Sequence, residues 1–303
     1  MKMLCSFGLE VHVMFYSRVF LTIAYSVMAV TATLLNIMVL VTLWKTPCLQ
    51  RPSQVLLANL AFTDLLTAAI FCPILAFSNV AVIKQWQSIF CDVWLITAPF
   101  VVCFGGMNLY TLTVVGIDRF LAIKKKFSYR TIVTNRRTMK ILMAGWFIDI
   151  ALQGIFIFLF YKSAVSLRSY ITVAAVFIAL LLCILTTFYS MAFYHLKKVS
   201  SRVSMGNTNE PTAPNEAPKF DVTKYRRTFK TIIIVVAAVF LCYSPYACIL
   251  TLKTMIPNES VMENWIQFGQ ILMIGRSVIN PLIYLWRMED LRQSARSVIN
   301  RHF

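Results

Sequence analysis

Seven stretches of this chain, at about 18–44, 54–79, 92–123, 138–161, 170–196, 229–252 and 264–286, are apolar over more than the ~20 residues that a helix needs to cross a bilayer's hydrocarbon core. In lipid such a stretch has no water to satisfy its backbone, so it folds as a helix with every N–H and C=O bonded internally. The seven stretches therefore specify an all-α membrane protein, a bundle of seven transmembrane helices. Composition agrees: 59% of the 303 residues are hydrophobic and 14% are charged, against roughly half and a quarter in soluble domains. The bundle occupies 18–286, with 1–17 before it and 287–303 after it, and leaves no room for a second domain. Residues 1–17 lack the charged-then-apolar-then-small pattern of a secretory signal, so the first span is expected to act as its own insertion signal.

The net charge of +17 would suit nucleic acid if it were gathered on one soluble face. Here it is divided among the connections. Twenty-two Lys and Arg fall in the loops at 45–53, 119–140 and 197–230 and in the tail, six fall on the other side, and Arg276 lies inside the last span. The positive-inside rule puts the rich side in the cytoplasm, with the N-terminus outside, the C-terminus inside, and membrane lipids rather than nucleic acid as the partner of the charge. The tail from Arg287 reads as a short amphipathic cytoplasmic helix, with Leu291, Ala295, Val298 and Ile299 on one side and arginines between them. The proline-bearing segment 205–220 in the third inner loop reads as disordered. Asn258-Glu259-Ser260 is a glycosylation sequon close to the membrane.

Chemistry is sparse. Eight cysteines include no CxxC, the three histidines are scattered, and no phosphate loop, GxSxG or HExxH occurs. The chain is expected to be no enzyme and to hold no metal or cofactor.

Motifs inside the spans narrow the class. Asn36 lies in "LLNIMVLV", Asp64 in "LANLAFTDLL", Asp118 and Arg119 in "GIDRFLAI", Trp146 in span four, Pro245 in "FLCYSPY", and Asn280, Pro281 and Tyr284 in "NPLIY". Each motif is weak alone, but all stand in order, each in its own span. The chain resembles a rhodopsin-like (class A) G protein-coupled receptor over nearly all of 18–302. The resemblance implies a plasma-membrane receptor whose partners are an extracellular ligand, a heterotrimeric G protein and arrestin. It implies that Asp118 holds Arg119 until activation, that Pro245 and Pro281 weaken spans six and seven, and that Tyr284 swings toward Tyr189 of span five. It also implies a polar intramembrane site in which Asp64, with the positions of Asn108, Arg276, Ser277 and Asn280, holds a sodium ion. An arginine at 276 departs from that pattern. Facing Asp64, it would replace the mobile cation with a fixed one. Asp149, or an internal water, is its alternative partner.

Other departures bear on the ligand. The loop 162–169 has no cysteine, and Cys91 stands farther before Arg119 than is usual. The usual disulfide from span three to the second outer loop is therefore not expected, and Cys91 is either free or paired with Cys5. Span five lacks its common proline, Leu181 standing near that position. These features are loosely similar to the melanocortin, cannabinoid and lysophospholipid receptor cluster. Amine receptors carry an aspartate eighteen residues before the span-three arginine, where this chain has Val101, and opsins a lysine seven before the span-seven proline, where it has Ile274. An amine salt bridge and a retinal Schiff base are both excluded. An apolar or lipid-like ligand, or a small peptide, is the remaining expectation, with Trp94, Phe100, Val101, Tyr243, Tyr246 and Trp265 as candidate pocket residues. Tyr243 stands where the family has Trp, Val239 where it has Phe, and no acid stands at the foot of span six; all three point to signalling without ligand. The rival readings are a non-signalling scavenger or heteromer partner, and an ion transporter lined by Asp64, Asp149 and Arg276, which lacks an inverted repeat.

Overall fold

The computed structural model describes residues 11–46, 51–125, 128–162, 166–206, 222–255 and 259–300. The regular elements of these residues are all helical. Span one is Val11–Lys45, span three Gln87–Lys125, span four Asn135–Tyr161, span five Leu167–Gly206, span six Val222–Met255 and span seven Glu259–Arg287. Span two runs from Pro52–Leu66 through a π turn, Thr67–Phe71, into Cys72–Ile83. Among the described residues, seven helices are long and apolar enough to cross a membrane. A four-residue helix, Tyr129–Ile132, follows span three, and the tail forms a helix at Glu289–Asn300. Most of the segment read as disordered, from 207, lies outside the described residues, as do Cys5 and Asn258.

Local chemistry explains the irregular points. Pro73 has no N–H to give to the turn before it. The helix accommodates it with the π turn, closed by the Cys72 N–H on the Thr67 carbonyl. Span two ends in a Schellman arrangement: Trp86 N–H reaches Ala81 O at 2.8 Å and Gln85 N–H reaches Val82 O at 3.0 Å. That places Gln85 at φ 60°, the left-handed conformation that favours glycine. Pro99, Pro245 and Pro281 lie inside spans three, six and seven.

Spans two, three and seven are the most enclosed, whereas span four turns most of its surface outward. Phe147, Ile148, Ile150 and Phe158 are exposed on it, as suits a helix facing lipid. Where spans pack closest, glycine permits it. A Cβ at Gly145 would overlap the Tyr110 ring, and one at Gly116 would come within 2.8 Å of Tyr189. The tail helix buries Leu291 and Ala295 and leaves its charged face outward. The packed spans bring the polar residues of two, three and seven to one point.

Candidate functional site

Three places in the bundle concentrate polar or ionisable groups, and they lie at different depths.

The middle one is built on Asp64, fully buried in the lower half of span two. Span seven reaches it with three side chains. Arg276 Nη1 donates to Asp64 Oδ1 at 2.6 Å, Ser277 Oγ to the same oxygen at 3.0 Å, and Asn280 Nδ2 to Oδ2 at 3.1 Å. From span three, Asn108 Nδ2 adds a bond to Oδ1 at 3.3 Å. The 276, 277 and 280 spacing puts these groups on one face of the helix. Arg276 is 1% exposed, the bulkiest fully buried side chain described. Its guanidinium also sits over the Tyr243 ring, 5.4 Å from the centroid, while Tyr243 donates its hydroxyl proton to Gly105 O at 2.7 Å. Spans two, three, six and seven are thus joined through one ion pair. Asn36 ties span one to the same turn of span seven, its Nδ2 donating to Ser277 O at 2.9 Å. A buried charge is tolerated only when paired and hydrogen-bonded; the carboxylate accepts four bonds, while the guanidinium is paired through Nη1 and its Nε has no hydrogen-bond partner.

One end of the bundle carries Asp118 and Arg119. Arg119 Nη2 lies 3.3 Å from Asp118 Oδ2, and Tyr129 of the short helix donates its hydroxyl to Asp118 Oδ1 at 2.6 Å. Asp118 is buried and Arg119 half-buried. Tyr189 and Tyr284 are both 6% exposed, and neither hydroxyl has a hydrogen-bond partner. Structure and sequence differ in emphasis here: the second holder of Asp118, Tyr129, carries no signal in the motif.

The opposite end contains a small, partly open cavity of about 60 Å³ between spans three, five, six and seven. Val101 and Tyr246 line it, with Tyr170, Leu250, Lys253, Gln267 and Gln270 among the rest of its wall. Of the other aromatic candidates, Phe100 and Trp265 are exposed on the bundle surface, where Phe100 stacks on Phe71. Tyr243 lies deeper, on Arg276, and the Trp94 and Cys91 side chains lie outside the described residues. Sequence reasoning missed Gln267 and Gln270. The signal was there: two amides three residues apart in an apolar span.

Asp149, the other intramembrane acid, stands away from the Asp64 centre and behind the cavity wall, linked to Tyr170 through Gln153. It is half-buried between spans three and four, bonded to Cys103 and Gln153, and Gln153 Oε1 accepts from Tyr170 at 3.1 Å. Among the described residues no group of His, Cys, Asp and Glu is placed to hold a metal.

The chain resembles known receptors along most of its length. Adenosine receptor A2a of Homo sapiens is 23% identical over 313 residues, covering 94% of this chain and 73% of the relative. 5-Hydroxytryptamine receptor 1B of Vulpes vulpes is 24% identical over 344 residues, covering 93% and 86%. Residues 35–284 match the family described as 7 transmembrane receptor (rhodopsin family). That match runs from the last third of span one to Tyr284 of span seven and takes in the Asp118-Arg119 end and the Asp64 centre, and the chain belongs to the rhodopsin family of seven-transmembrane receptors, a multi-pass membrane protein of a non-enzymatic class.

Proposed function

We propose that the protein is a plasma-membrane receptor that binds an extracellular ligand in the cavity lined by Val101, Tyr246, Gln267 and Gln270 and promotes nucleotide exchange on a heterotrimeric G protein at its Asp118-Arg119 end. The observation that carries this reading is the continuity of the bundle. The cavity is walled by spans three, five, six and seven, and three of these also meet at the Arg276–Asp64 pair. Arg119 stands at the far end of span three. A ligand that favours one arrangement of spans six and seven would shift the population at that far end by its differential affinity for the two arrangements. The Lys and Arg distribution puts the Arg119 end in the cytoplasm and the N-terminus outside.

The ligand is expected to be apolar or lipid-like, or a small peptide. One relative is named for adenosine and another for 5-hydroxytryptamine. Val101, and the absence of an acidic residue among the described residues of the cavity wall, argue against a cationic amine such as the second. Arg276 acts as a fixed cation for Asp64 in place of a mobile one, and with Tyr243 and Val239 at their span-six positions the receptor signals without ligand. Arrestin, when recruited, engages the third inner loop. The test compares second-messenger output in unliganded cells expressing the protein or Arg119→Ala at matched surface levels. A basal signal lost in the variant supports the reading; equal output refutes it.

A further inference from the structure

Gln267 and Gln270 are the two side chains of the cavity wall whose hydrogen-bonding capacity is unused. Gln267 is 2% exposed and its Oε1 has no partner. Gln270 is 8% exposed, and its side chain makes no hydrogen bond among the described residues. They lie one turn apart on span seven and both line the cavity. A primary amide offers two donors and one acceptor, and burying it unbonded costs free energy. Leucine at both positions would continue the apolar wall of Val101, Leu250 and Ile266 without that cost. Span seven is held there by a close approach to span six: a Cβ at Gly269 would lie 3.1 Å from the Tyr246 Cα. The backbone that carries the two amides is therefore held in place against span six.

Resting on the receptor reading above, we infer that the ligand is a neutral molecule carrying an amide-like edge, with a hydrogen-bond donor and an acceptor side by side on an apolar body, and that Gln267 and Gln270 read that edge. A carboxamide side chain recognises such an edge through two bonds at once, as Asn and Gln do with the donor–acceptor edge of adenine. Charge selects against one alternative. Among the described residues no Asp or Glu lines the cavity, so a cationic amine finds no counter-charge on this wall. A free carboxylate has acceptors only and cannot satisfy the glutamine oxygens.

The experiment uses the full chain in nanodiscs and three matched sets of probes, each on one body: indole-3-acetamide, indole-3-acetate and tryptamine; 3-phenylpropanamide, 3-phenylpropanoate and 3-phenylpropylamine; hexanamide, hexanoate and hexylamine. Affinity is read from the thermal shift of the purified protein. The amide of at least one set is expected to bind at least tenfold more tightly than its acid and its amine. Gln267→Leu and Gln270→Leu should each weaken that amide about tenfold while leaving the empty protein no less stable, since a buried unbonded amide has been removed. Gln270→Glu should reverse the preference toward the amine. The inference is overturned if no amide binds, if amide and amine bind equally, or if the leucine variants bind the amide as the natural protein does. None of these readouts depends on G protein, so the receptor reading fails separately, through the Arg119→Ala comparison.

Discussion

Replacing Arg276 by methionine, which keeps most of the side chain's length and removes its charge, strips Asp64 of its only cationic partner among the described residues. Asn108, Ser277 and Asn280 remain to bond the carboxylate, but neutral donors do not compensate a charge that is 0% exposed. Breaking a buried ion pair by removing one partner costs about 3–5 kcal/mol. The lost contact with the Tyr243 ring adds about 0.5–2 kcal/mol. Against a total stability on the order of 5–15 kcal/mol, Arg276→Met should fall to a small fraction of normal surface expression. Asp64→Asn alone strands the guanidinium and should cost about as much. The double variant removes both charges, and its loss should be no greater than that of either single, a coupling of roughly 3 kcal/mol or more. Surface expression by flow cytometry and melting of the purified proteins in nanodiscs measure the cycle. If the double variant loses the sum of the two single losses, the pair carries no coupling and its role in joining spans two and seven is refuted.

With a guanidinium in the site, basal signalling should not change when sodium is replaced by choline at constant ionic strength, and Arg276→Asn should introduce a sodium response; sodium dependence of the natural protein would contradict the fixed-cation reading. Gly145→Val must displace the Tyr110 ring and its bond to Ile141 O, 2.9 Å long, at a cost of about 1–3 kcal/mol. Gly154→Ala, where a Cβ meets nothing within 4 Å, should be neutral or stabilising by up to ~1 kcal/mol; thermal melts of the two compare them directly. Changing Ser200, Ser201, Ser204 and Thr208 together to alanine should reduce arrestin recruitment in a proximity assay, because phosphates there would sit beside Lys197, Lys198 and Arg202. Undiminished recruitment would move the phosphate site elsewhere.

The architecture was legible because lipid leaves the backbone so few choices. Span length, the order of the motifs and the all-helical class all follow from apolar runs and single polar residues within them. The company kept by Asp64 was legible for a related reason: a charge in the middle of the membrane needs a partner, and Arg276 was one of few candidates. The cavity wall was not legible. Phe100 and Trp265 are aromatic residues in the right half of the bundle, yet they face outward. Span rotation decides which face an aromatic takes, and near-uniform hydropathy does not encode rotation. Gln267 and Gln270 do encode it, since amides at that depth avoid lipid. The π turn in span two also shifts which residues face inward, and Pro73 alone does not distinguish a π turn from a simple kink. Tyr129 holds Asp118 from a loop helix of four residues, too short for any periodicity to reveal.

The central claim is that the Arg119 end acts on a G protein. Its most direct test is nucleotide exchange on purified heterotrimeric G proteins of each α class, with the protein alone in nanodiscs and no other cell component. The account predicts exchange above empty nanodiscs for at least one class without added ligand, and its loss in Arg119→Ala at equal protein concentration and equal melting temperature. Exchange no faster than empty nanodiscs for every class, or equally fast with Arg119→Ala, would contradict it.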